Sequence, residues 1–88
     1  MARFEMLEAG VGTMGATAQA DILFELGVMY ATGRDCETDV IAAHKWFNIA
    51  AIKGSLRAAE WRSELSSAMS KGEIAQALRD AREWMTTH

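Results

Sequence analysis

From Ile22 to Ala31 the chain reads ILFELGVMYA, and Glu25 is the only charged residue in that run. A helix that is apolar on nearly every side must be buried on more than one side, since a single neighbour covers only one stripe. In a chain of 88 residues those neighbours must be a few short elements of the same domain. Composition says what they are. Sixteen alanines stand against three valines and five isoleucines, and there is no proline. Small helix-favouring side chains let helices pack closely, whereas strands favour β-branched ones. The expected class is all-α.

Glycines and capping residues divide the chain. Phe4, Met6 and Leu7 make at most one apolar turn, and Gly10, Gly12 and Gly15 read as a flexible connector. Four helices are predicted after it, over about residues 17–32, 39–53, 56–69 and 71–85. The turn-rich run GRDCETD separates the first two, and Asp39 is placed to cap the second. Gly54-Ser55 ends the second and caps the third, and Ser70-Lys71-Gly72-Glu73 has the capping-box spacing. Val40, Ala43, Phe47 and Ala50 form one stripe on the second helix, leaving His44, Lys45 and Asn48 for a polar edge. Ile74, Ala77, Leu78, Ala81 and Met85 form one face of the fourth. Short connections make antiparallel neighbours, so two stacked helical hairpins are expected.

Leu26-Gly27-x-x-Tyr30-x-x-Gly33, followed by Asp39, Ala43, Trp46-Phe47, Ala50-Ala51, Gly54 and Ala58, resembles one full Sel-one-like repeat, a relative of the tetratricopeptide repeat. Ile22 and Ala58 occupy equivalent positions, which sets a period of 36 residues. The family's second loop glycine is Asp35 here, and Cys36 stands where a small apolar residue follows it. A second standard repeat would need Leu-Gly at Arg62-Ser63 and tyrosine at Ser66, so the third and fourth segments resemble a degenerate closing hairpin. The resemblance implies a short α/α superhelix with an N-terminal segment 1–16, a repeat 17–54 and a C-terminal capping hairpin 55–88. In physical terms Gly27 lets the first two helices approach closely, and Trp46, Phe47 and Tyr30 supply large buried area.

The net charge of −3 and a pI near 5.3 argue against a nucleic-acid partner. Charge is uneven: residues 1–44 hold two basic and seven acidic side chains, net −5, and residues 45–88 hold seven and five, net +2. The lone Cys36 cannot form an internal disulfide and fits a cytoplasmic protein, as does a start without a signal-like apolar run. No stretch approaches the ~18 apolar residues of a membrane span.

Catalytic and metal chemistry find little support. His44 has Val40 and Asn48 at four-residue spacing rather than further ligands, and reads as a partly exposed histidine. Cys36 lies among Asp35, Glu37 and Asp39, surroundings of the wrong sign for a reactive thiolate. Counting a calcium loop from Asp35 puts Val40 and Trp46 where glycine and glutamate belong. Met14, Met29, Met69 and Met85 are too scattered for a binding surface. No enzyme activity, cofactor or metal is expected.

By analogy with related repeats, Phe24, Val28 and Ala31 would line the partner-binding face of the first helix, with Asp21 and Glu25 beside them, unless residues 1–16 fold back and cover that stripe. The expected function is a scaffold or adaptor that docks a partner helix or a second copy there. A purely structural homo-oligomer and an accessory subunit of an enzyme are the alternatives. Exposed Phe24 and Val28 would favour a homodimer or hetero-complex, with Val28→Glu breaking it.

Overall fold

The computed structural model describes residues 14–88, with side chains from residue 18 onward. Four helices follow in order, α1 (Met14–Thr32), α2 (Val40–Ile52), α3 (Leu56–Ser66) and α4 (Lys71–Thr87), with no strand among the described residues. The all-α class and the four segments are as the sequence predicts, and each boundary falls within three residues of its expected place. Phe4, Met6, Leu7, Gly10 and Gly12 lie outside the described residues. Gly15 falls inside α1 rather than in a connector.

Side chains set the helix starts. Asp39 accepts a hydrogen bond from the Ala42 amide at 3.0 Å, and Ser55 accepts one from Ala58 at 3.1 Å. At α4 the capping box is complete: Ser70 Oγ accepts from the Glu73 amide, and the Glu73 carboxylate accepts from the Ser70 amide. The α1–α2 turn needs left-handed backbone twice, at Gly33 (φ 76°) and at Asp35 (φ 63°). Aspartate is among the few residues with a side chain that tolerate this conformation. The Asp39 amide then donates to the Tyr30 carbonyl at 2.9 Å and ties the loop back to α1.

Helix α2 is the centre of the molecule, and the other three helices each pack on it. Tyr30 meets Asp39 while Gly27 meets Phe47, so α1 and α2 run antiparallel. His44 meets Ser66 while Asn48 meets Arg62, so α2 and α3 do the same. Phe24, Phe47 and Trp61, one from each of these helices, form a cluster with ring centroids 5.3–5.8 Å apart. Aromatic rings at such distances gain more than area burial alone. The core continues through Leu23, Ala43, Ile49, Ala50, Ala58 and Ala81.

Helices α3 and α4 do not form the expected closed hairpin. Each sits on α2, and they make little direct contact with one another. The reason lies in their apolar supply. Ala58, Trp61 and Leu65 of α3 are directed to the core shared with α1 and α2. The buried Ala77 and Ala81 of α4, with Trp84 edge-on to Trp46 at 5.5 Å, use its one apolar face against α2. Neither helix has a second apolar stripe for the other.

Candidate partner-binding groove

Of the five residues predicted to bind a partner, one lies in the core and four reach the surface of α1 to different extents. Phe24 is only 3% exposed. Its ring packs against both Phe47 and Trp61, and the Arg57 guanidinium covers it at 4.4 Å from the centroid. It belongs to the core because Trp61 and Arg57 of α3 reach over its ring. Val28 is half-buried against the same core. Asp21 and Glu25 are exposed, and Glu25 faces Arg34 at 3.4 Å, a surface pair worth roughly 0–1 kcal/mol.

Ala31 lines an opening. Helices α1 and α3 touch at Phe24–Trp61, and farther along them lies an open groove of about 530 Å³. Phe47 forms its floor, Ala31 one side, and Trp61, Leu65 and Ala68 the other, with Glu60 and Glu64 among its lining residues. Trp61 is 41% exposed although two of its contacts are buried phenylalanines. Glu60 and Glu64 stand one helical turn apart, where like charges repel. Neither carboxylate has a cation within salt-bridge distance among the described residues. Both arginines of α3 are occupied elsewhere, Arg57 over Phe24 and Arg62 on Asn48 Oδ1 at 2.6 Å.

Sequence reading did not single out Trp61, Leu65, Glu60 or Glu64. The signal was there: Ala58, Trp61 and Leu65 recur at three- and four-residue steps on a helix otherwise polar. The mismatch of Arg62, Ser63 and Ser66 with the repeat pattern masked it. The repeat-signature residues are placed structurally. Leu26, Tyr30, Trp46 and Ala51 pack around the core, Ala43, Phe47, Ala50 and Ala58 lie within it, and Gly33 and Gly54 take positive φ.

His44 is the clearest correction. It is 2% exposed, not partly exposed on a polar edge. Two of the three residues of that edge, His44 and Asn48, form rungs of the α2–α3 seam with Ser66 and Arg62. Ser66 Oγ donates to the Arg62 carbonyl at 2.8 Å, so at 2.9 Å from His44 Nε2 it accepts. That fixes the proton on Nε2 and leaves Nδ1 buried without a partner. A serine beside a histidine can be a nucleophile and its base. Here the serine proton points away from the histidine, and neither residue lines the groove.

Burial lowers the His44 pKa below its ordinary 6.5, and the nearby Arg62 charge lowers it further. The unfolded chain therefore takes up this proton first as the pH falls. The stabilising contribution is fully present above about pH 6.5 and is lost as pH drops through the folded-state value. The thermal midpoint should fall between pH 7.5 and 5.0, and His44→Gln, which keeps a donor for Ser66, should flatten that slope. Both are to be melted in a His88→Ala background. About 1 kcal/mol moves the midpoint of such a domain by about 4–8 °C. Parallel pH profiles would show that His44 does not enter the linkage.

No group of three or more potential metal ligands occurs among the described residues. None of the described helices is long and apolar enough to cross a membrane. Comparison with family models, curated proteins and solved structures finds no match.

Proposed function

We propose that the chain is a short α/α superhelix of the Sel-one-like kind and acts as a protein–protein interaction module, a small cytoplasmic scaffold or adaptor rather than an enzyme. The observation that carries this reading is the groove between α1 and α3, an open apolar trough with a half-exposed tryptophan in its wall. Tryptophan at such a place is a common energetic centre of interfaces, because covering it removes much apolar area from water. Local geometry supports the repeat likeness. The close approach at Gly27 and the left-handed turn at Gly33 fall where the repeat carries glycine, and Asp35 takes positive φ at the position of its second loop glycine.

Panning a library of short peptides against the chain tests the function. Enriched sequences should compete with one another and should lose binding to Ala68→Arg, which fills the groove from an exposed position. If enriched peptides ignore this variant, the groove is not the binding face.

One observation favours self-association as a second reading. Ile22 is 64% exposed on the side of α1 away from the core. Because Val28 packs against the core, Ile22→Glu is the cleaner probe of a dimer joined through α1. A dimer should sediment as a monomer after that change, with its helicity intact.

A further inference from the structure

The groove carries charge as well as shape, and resting on the interaction reading we infer its occupant: an amphipathic helix from another protein, with two large apolar side chains one turn apart and lysines or arginines flanking them. The trough runs between two helices, holds about 530 Å³, and presents Phe47, Trp61, Leu65, Ala31 and Ala68 as a continuous apolar lining. A helix presents side chains to a groove of this kind at three- and four-residue steps.

Charge settles the flanks. Glu60 and Glu64 sit at the groove, repel one another across one turn of α3, and lack a cation among the described residues. The two arginines of their own helix are engaged with Phe24 and Asn48. A partner that brings two cations relieves the repulsion and fixes its own register along the groove.

A second copy of the chain supplies this chemistry poorly. Helix α4 exposes Leu78, but its Lys71, Arg79 and Arg82 are matched by Glu73, Asp80 and Glu83, so it brings no net positive charge. Helix α1 brings Asp21 and Glu25 and no cation. Residues 1–13 hold one arginine and two glutamates. Ile52 and Leu56 are exposed beside Lys53 and Arg57, but they straddle the turn between α2 and α3 and offer no continuous helix to the groove, so the cations are assigned to another protein.

The test uses a synthetic amphipathic peptide with leucines at i and i+4 and lysines flanking them, and its counterpart with every lysine replaced by glutamate. Both are titrated into the whole chain by calorimetry at low and high salt. The lysine peptide should bind about tenfold more tightly than the glutamate peptide, as two exposed ion pairs allow, with the gap closing in salt. The double reversal Glu60→Lys/Glu64→Lys alters only exposed side chains and should invert the preference. Equal binding of the two peptides, or a preference that the reversal leaves in place, overturns the inference and spares the broader reading. Should neither peptide bind while the chain forms a dimer that Ala68→Arg abolishes, the occupant is a second copy and the inference falls. No peptide binding by a strictly monomeric chain overturns both.

Discussion

Gly27→Leu is expected to bring the protein close to unfolding. A side chain at residue 27 begins with a Cβ that would overlap Cδ1 and Cε1 of the Phe47 ring, with Cγ of that ring at 3.1 Å. The ring is 1% exposed and packs against both Phe24 and Trp61, so turning it aside disturbs the whole aromatic cluster. Overpacking a tight core costs about 1–3 kcal/mol or more, against a total of roughly 5–10 kcal/mol for a domain of this size. Alanine makes the sharper test because it sets two effects against each other. At an exposed helical site Gly→Ala stabilises by about 0.5–1 kcal/mol. At residue 27 the sign should reverse, and Gly27→Ala should melt below the parent. Pairing it with Phe47→Leu should restore part of the loss, a non-additivity expected only of residues in contact. A Gly27→Leu variant with the parent's midpoint would mean that α1 and α2 do not meet there.

That prediction could be framed from the sequence because the glycine and the aromatic pair lie on strongly periodic helices. The helix starts were equally legible. Asp39, Ser55 and Ser70 act within three residues of their own positions, and local chemistry of that range is written in the chain. What could not be read was which helix lies beside which. Phe24 looked exposed because analogy with related repeats set it on a partner-binding face, whereas α3 puts Trp61 on its ring. His44 looked like a surface residue because its own helix offers it no partner, while Ser66 lies 22 residues away. The groove is a third instance. Its lining comes from three helices, and no single stretch of sequence carries Ala31, Phe47 and Trp61 as a pattern. Polar residues in a helical seam are especially misleading, since Asn48 and Arg62 satisfy each other only once α2 and α3 have been set antiparallel.

Deleting residues 70–88 is expected to abolish cooperative unfolding altogether. The deletion removes α4, whose Ala77 and Ala81 are buried with almost no exposed area and whose Trp84 meets Trp46 at 5.5 Å. The face left bare belongs to α2, not to α3, because α4 is seated on the central helix. That location makes the loss severe. Helix α2 is the element on which α1 and α3 also pack, so water reaching Trp46 enters beside the shared core rather than at its margin. Large-to-small changes at well-buried aromatics cost about 3–5 kcal/mol. Trp84 alone is half-buried and falls below that range, but Ile74, Met85 and the two alanines leave with it. The combined loss is comparable to the whole stability of a domain this small. The truncated chain should retain some helicity by circular dichroism, bind a hydrophobic dye and melt without a sharp transition. Trp84→Ala provides the graded comparison, a lowered midpoint with cooperativity kept. A soluble truncation that still unfolds in one sharp step would place the stabilising core wholly within α1, α2 and α3, and α4 would then be an appendage whose contact with Trp46 adds little.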